Sequence, residues 1–322
     1  MTNPFVPKPH PAYQAIFDMM KQANIKLQGL DPVTIRGYQA AAPKPPGYSV
    51  PDTLVEERDI PVGDHDIKLF CVRPPGTEND ILPGFVFIHG GGFVLSNFKT
   101  HEKLAKEICV NAHVAVLFVE YTLAPERKFP SAPEECYEAV LWIKEHAAAL
   151  KVDDAKIVMG GDSAGGNLTA GTALMLKERG HPDVLKGQIL VYPSVHKRSV
   201  HYDSYDQFGG GDYFMSKEDS AYFQSFYLPD PSNPPEDIRY TPNLATDEQL
   251  TGLPRTLLIT AECDILRDGA EHYAQRLTQV GVETCCMRMI GGVHGFASFP
   301  VSTGIYRQTM NAIASFTNEC FE

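Results

Sequence analysis

Five residues, Gly161-Asp162-Ser163-Ala164-Gly165, carry the strongest chemical signal in the sequence. They stand between an apolar run that reads as a strand, KIVMG at 156 to 160, and a helical run that opens NLTA at 167 to 170. A serine at a sharp strand-to-helix turn presents its Oγ above the sheet edge, and side chains in place of the flanking glycines would collide with neighbouring backbone. The helix that follows points N–H groups and its positive dipole end toward any anion formed beside that serine. The bland alternative is a glycine-rich turn that only ends a strand, and the strand–helix context argues against it. A second element is His89-Gly90-Gly91-Gly92, directly after the strand FVFI. It meets the requirement of an oxyanion hole, because glycine lets backbone N–H groups approach a tetrahedral intermediate closely. The expected donors are the N–H groups of Gly91, Gly92 and Ala164. A phosphate loop would need a Gly-Lys-Ser/Thr ending, whereas the next residue is Phe93. His89 is expected to position this loop by hydrogen bonding.

Serine is a weak nucleophile at neutral pH and needs a base, itself oriented by a carboxylate. Eleven histidines compete. In an α/β-hydrolase the acid and then the base follow the serine. His181, His196 and His201 precede the later strands, and His272 falls in a predicted helix. His294, in the loop IGGVHGF, stands at a strand C-terminal end as Ser163 does, and is the expected base. For the acid, Asp264 follows the strand TLLITAEC, while Asp268 is expected to cap the next helix. Asp264, Asp268 and His272 share an i, i+4 spacing that on one continuous helix would suit a metal. Asp264 precedes that helix, so no metal is expected, and nothing else implies a cofactor. Cys285 and Cys286 lie in a strand pattern and are expected in the core.

Such residues need a scaffold that delivers several loops to one edge of a sheet. VEERDIPV and DIKLFCVRP, joined near Gly63-Asp64, alternate like two antiparallel strands. Compact apolar runs at 84 to 90, 114 to 121, 156 to 161, 187 to 193, 255 to 261 and 284 to 290 suit buried parallel strands. Helical patterns fall between most of them. Ser131 is expected to cap a helix three residues before Glu134, Asp268 to Val280 forms a helix stopped by Gly281, and another runs from Ser302 to Cys320. The fold class is therefore α/β: a mostly parallel eight-stranded sheet with helices on both faces and an antiparallel pair at one edge. Prolines crowd the first 51 residues around a helix expected from Ala12 to Lys26, and 193 to 254 shows no strong strand. The division that follows is an arm at 1–50, a core in two pieces at 51–193 and 255–322, and a helical insertion at 194–254, arm and insertion together making a cap.

Composition bounds the partners. A formal charge of −12 disfavours nucleic acid and anionic membrane, and the longest apolar run, Val114 to Val119, is too short to span a bilayer. Seven cysteines without disulfide or zinc spacing, and a start that lacks a secretory apolar stretch, lead to the expectation of a soluble, cytoplasmic protein.

Taken together, the sequence closely resembles the hormone-sensitive-lipase-like family of microbial carboxylesterases within the α/β-hydrolase superfamily. The resemblance covers most of the chain from about residue 55 and rests on HGGGF at 89 to 93, YTLAPE at 121 to 126, GDSAGG at 161 to 166, AECDILRD at 261 to 268 and HGF at 294 to 296, in the family's order. It implies Ser163 as nucleophile, Asp264 as orienting acid, His294 as base, Gly91, Gly92 and Ala164 as the oxyanion hole, and an N-terminal cap. It also implies a homodimer through the last strand and helix. Three positions depart: Glu120 and Thr122 replace the usual aspartate and arginine around the tyrosine, and Ile265 replaces the usual proline. Loss of the arginine is expected to alter salt bridges under the site. Related plant gibberellin receptors lack the base histidine, so His294 favours an enzyme over a receptor. Among enzymes, a cap bearing Asp203, Asp206, Asp212, Lys217, Glu218 and Asp219 favours an esterase for short- to medium-chain small-molecule esters over a lipase, peptidase or deacetylase. Activity should rise with pH as His294 loses its proton. Phe93, Phe208, Tyr213 and Phe214 are candidate walls of the substrate pocket, against the alternative that they form the cap's own core.

Overall fold

The computed structural model describes residues 6–22, 28–45, 47–197 and 199–322. Strands β1 (Leu54–Val62) and β2 (His65–Arg73) form a hairpin whose ends pair Val62 with His65. The two-residue turn is made possible by Gly63, whose φ of +57° suits a residue without Cβ. The other strands are β3 (Leu82–Ile88), β4 (Ala115–Glu120), β5 (Val152–Asp162), β6 (Gly187–Val191), β7 (Arg255–Cys263) and β8 (Thr284–Val293). Among the described residues these form one eight-stranded sheet in the order β1-β2-β4-β3-β5-β6-β7-β8. β1 and β2 are antiparallel, β2 meets β4 antiparallel, and every later pairing is parallel.

Side-chain alternation explains the layers. Val86 and Ile88 of β3 and Leu117 and Val119 of β4 face one core, which α4 (Ser131–Glu145), α6 (Ala164–Glu178) and α10 (Arg267–Gln279) close with Val140, Leu168, Leu174, Tyr273 and Leu277. Phe85, Phe87, Val116 and Phe118 face the other, closed by α3 (Phe98–Ala112) and α11 (Gly304–Glu319) through Leu104, Ile108, Met310 and Ile313. Strands covered on both faces are apolar throughout, and each such buried side chain contributes about 1.5–3 kcal/mol.

Three expectations are corrected. Ser131 is the first residue of α4, not its cap; the cap position is Pro130, and the Ser131 hydroxyl donates to Glu135 Oε1 at 3.1 Å. Asp268 likewise lies inside α10, where the cap position is Leu266, and its carboxylate accepts from Arg267 and from the N–H of Ser204. Cys285 and Cys286 are exposed rather than in the core. Sheet order is the cause: β8 is the edge strand, next to β7 alone in the sheet among the described residues, and its first half projects to solvent. The first helix of the arm, α1, spans Pro11–Gln22, and the remainder of its expected range, 23 to 26, lies outside the described residues.

Between β6 and β7 the chain forms α7 (Asp203–Phe208), α8 (Lys217–Tyr227), a 3-10 turn and α9 (Asp247–Leu250), with no strand among the described residues. The arm, α1 and α2 (Pro32–Ala41), touches this insertion directly. Phe17 stacks on Phe214, Gln28 Nε2 donates to Asp219 Oδ1, and the Tyr222 hydroxyl donates to the Leu30 carbonyl.

Candidate active site

Ser163 sits between β5 and α6 with φ +55° and ψ −116°, a conformation costing a non-glycine residue about 1–3 kcal/mol. The surroundings hold it there: its N–H donates to Val191 O at 2.8 Å, and its carbonyl accepts from Asn167 N at 3.0 Å and Ser194 N at 3.3 Å. A Cβ on either Gly161 or Gly165 would run into the Ile88 carbonyl, so the flanking glycines allow the turn to press against β3.

The loops after β7 and β8 bring their own groups to this turn. Ser163 Oγ lies 2.7 Å from His294 Nε2, and His294 Nδ1 lies 2.8 Å from Asp264 Oδ2. With Nδ1–H donated to the carboxylate, Nε2 is left as the acceptor facing the serine hydroxyl. The other Asp264 oxygen accepts from Leu266 N at 2.9 Å, which fixes the carboxylate plane. Asp264 and His294 are buried, while Ser163 keeps partial exposure. The two other members of the rejected metal alternative are engaged elsewhere: Asp268 with Ser204, and His272 Nδ1 with the Tyr202 hydroxyl at 3.2 Å.

Gly91 and Gly92 adopt φ of +115° and +63° in the loop after β3. Neither N–H donates to another described residue, and Ala164 opens α6, whose first-turn N–H groups have no partner within the helix. His89 is neutral: burial, with the charge of His101 second, pushes its pKa down to about 3. Its ring stacks on Tyr121 at 4.4 Å, its Nδ1 donates to Gly90 O at 2.7 Å, and its carbonyl accepts from the Tyr121 hydroxyl at 3.0 Å.

Of the four aromatic residues named as pocket walls, Phe208 is fully buried in the core, edge-on to Tyr213 and beneath the Arg267 guanidinium, so it has no surface to offer a substrate. Phe93 is also buried, stacked on Tyr227 at 4.0 Å. Tyr213 is half-buried, and Phe214 lies against Gly295, the residue after His294, and edge-on to Phe299. Sequence reasoning passed over Phe223 of α8, which covers the glycine loop after β3 so closely that a Cβ on Gly92 would stand 2.7 Å from its Cγ. Nothing in the local sequence distinguishes Phe223 from the aromatic residues around it.

The departures from the family pattern find local substitutes. Glu120 accepts from Phe98 N at 2.7 Å, and its half-buried carboxyl is pushed up by burial. Beneath the tyrosine, the buried Glu135 accepts from Thr122 N at 2.6 Å, from Ser131 and from His65 Nε2 at 3.2 Å, so a histidine contact stands where the usual arginine is missing.

A family model described as alpha/beta hydrolase fold matches residues 85–298. The carboxylesterase NlhH of Mycobacterium tuberculosis is 30% identical over 302 residues, covering 93% of this chain and 92% of its own. An arylesterase of Saccharolobus solfataricus is 31% identical, covering 84% of this chain and 86% of its own. Among solved structures, a fungal esterase from Rhizomucor miehei superposes with a TM-score of 0.92 at 40% identity, covering 98% of this chain and 99% of that one. A thermostable esterase from Pseudomonas putida does so with a TM-score of 0.89 at 33% identity, covering 99% of each chain. The chain therefore belongs to the α/β-hydrolase superfamily, in its hormone-sensitive-lipase-like family of carboxylesterases.

Proposed function

We propose that the protein is a serine carboxylesterase for short- to medium-chain acyl esters, with Ser163, His294 and Asp264 as its triad. The observation that carries this reading is the continuous hydrogen-bonded line from Ser163 Oγ through His294 to Asp264, beside the N–H groups of Gly91 and Gly92, which have no acceptor among the described residues. In the first half-reaction Ser163 Oγ attacks the ester carbonyl as its proton passes to His294 Nε2. The carbonyl oxygen, now an anion, accepts hydrogen bonds from the N–H groups of Gly91, Gly92 and Ala164. Collapse expels the alcohol, which takes the proton from His294. Water then enters by the same route and attacks the acyl carbonyl, giving a proton to His294; collapse breaks the bond to Ser163 Oγ, which takes that proton back from His294 as the acid leaves. Asp264 keeps the ring in the required tautomer and offsets the imidazolium charge.

The arm and the insertion support a cap over this site through Phe223 and Phe214. The experiment is a rate profile over p-nitrophenyl acetate to dodecanoate, with Ser163→Ala as control. Rates should be highest from acetate to hexanoate and fall by dodecanoate, Ser163→Ala should lose about 10⁴-fold or more, and a serine-directed phosphonate should label Ser163. A maximum at long chains, or no labelling, would overturn the reading.

Among the described residues no helix is long and apolar enough to cross a membrane. Free thiols at all seven cysteines support a reducing, cytoplasmic setting. The edge of β8, with Cys285 and Ile290 exposed, supports pairing with β8 of a second copy.

A further inference from the structure

Asp162, the residue before the nucleophile, is buried at 2% exposure and takes no part in the chemistry set out above. Its carboxylate instead meets groups from three other parts of the chain. Oδ1 accepts from Gly90 N at 2.9 Å, in the oxyanion loop. The same oxygen lies 3.2 Å from Nε2 of His101, a buried histidine of α3. Oδ2 lies 3.5 Å from the hydroxyl of Tyr192, directly after β6. That hydroxyl in turn accepts from Ala297 N at 3.3 Å, three residues past His294, and the Tyr192 ring lies 5.1 Å from the His294 ring. Tyr192 has φ +37°, unusual for a side chain of this size, and is held by its N–H bond to Ile259 O at 2.6 Å.

A carboxylate stripped of water is costly unless its partners replace the lost hydration. Burial by itself would push Asp162 toward the neutral form. The nearby His101 ring, with the N–H of Gly90, outweighs it and holds the carboxyl below its usual range. An ionised group so placed resists displacement, because any movement of Gly90 or His101 leaves it unpaired.

We infer that Asp162 is a positioning residue that locks the oxyanion loop, through Gly90 and His101, and the base loop, through Tyr192, in register with Ser163. This inference rests on the esterase reading. Oxyanion donors act only when preorganised at the place where charge develops, so a loop freed by a few tenths of an ångström loses transition-state stabilisation while ground-state binding changes little.

The test compares Asp162→Ala, Asp162→Asn, His101→Gln and Tyr192→Phe on p-nitrophenyl butyrate, with rates expressed per Ser163 titrated by phosphonate. A trifluoromethyl ketone, which forms a tetrahedral adduct on serine, reports oxyanion stabilisation separately. Asp162→Ala should lower kcat about 30- to 100-fold with KM within about threefold, and ketone affinity should fall in parallel. Asp162→Asn, which keeps an acceptor for Gly90 N, should regain about tenfold, and Tyr192→Phe should lose about three- to tenfold. If Asp162→Ala does not fold, Asp162→Asn and Tyr192→Phe decide the matter. Variants with a lower melting temperature but a kcat per titrated site within about threefold of the parent would reduce Asp162 to a stability role and overturn the inference. A parent protein that neither hydrolyses ester nor takes the label would sink the esterase reading, and this inference with it.

Discussion

Arg36, in the second helix of the arm, donates from Nε to the carbonyl of Val94 at 2.7 Å, two residues past Gly92 of the glycine loop after β3. Its guanidinium also bonds the Ala124 carbonyl at 2.7 Å and both oxygens of Glu126. The arm thus braces the outer side of the loop that carries Gly91 and Gly92, the proposed oxyanion donors. Arg36→Ala should cost about 2–3 kcal/mol of stability, read by urea unfolding, and lower kcat about tenfold. Because Glu126 is half exposed, its own share of that cost is small, and Glu126→Gln should change kcat by less than about threefold. Equal losses in the two variants would show that the ion pair, not the carbonyl contacts, matters.

Phe223 limits the space above Gly92 from the insertion side. Phe223→Ala should move the preferred acyl chain toward longer esters, lowering KM for octanoate about tenfold, since each methylene accommodated in an apolar site is worth about 1–3 kcal/mol. A chain-length profile identical to the parent's would place Phe223 outside the substrate's path.

Acid should destabilise the fold through His89. Its folded pKa, about 3, lies below the ordinary 6.5, so the unfolded chain binds an extra proton between those values. Stability is full above about pH 6.5 and falls as pH drops toward 3, by about 1.4 kcal/mol per pH unit for this one group. Asp162, whose carboxyl is held low in the fold, adds a further loss once pH passes below the ordinary 3.8. Urea unfolding at several pH values should show this slope, and in His89→Gln it should be shallower by about one proton between pH 4 and 6.

Pairing of β8 with a second copy predicts protection of an otherwise open thiol. Ellman's reagent should leave the buried Cys71, Cys109, Cys136 and Cys263 unreacted until unfolding. Cys285 should react quickly in dilute protein and more slowly as concentration rises, with Ile290→Lys abolishing that dependence. Labelling of Cys285 at one rate across all concentrations would argue for a monomer.

The elbow and the loops that face it were legible because their demands are local. A serine forced into positive φ between a strand and a helix needs small neighbours, and that need is written in consecutive residues from Gly161 to Gly165. His294 and Asp264 could be chosen by their places at strand ends, and the structure brings both into hydrogen-bonded line with Ser163. Pocket walls were harder. Phe208 and Phe214 stand six residues apart in similar surroundings, yet one is fully buried under Arg267 and the other lies against Gly295. The direction of each ring depends on how the insertion packs on α10 and on the arm.

The same division runs through the whole chain. Its apolar runs, turn glycines and motif order are properties of neighbouring residues, and they determined by themselves that the protein is an α/β sheet with a serine at its edge. Whether β8 is central or outermost is not a property of its own residues, which is why Cys285 and Cys286 looked like core and are exposed. Only the tertiary structure decided that Arg36 reaches Val94, that Phe223 roofs Gly92, and that Asp162 faces both Gly90 and Tyr192. Those contacts join residues from about 30 to more than 130 positions apart, and backbone sterics act only between neighbours. Which distant groups meet is set by the packing of complete elements, where every buried polar group must find its partner at once.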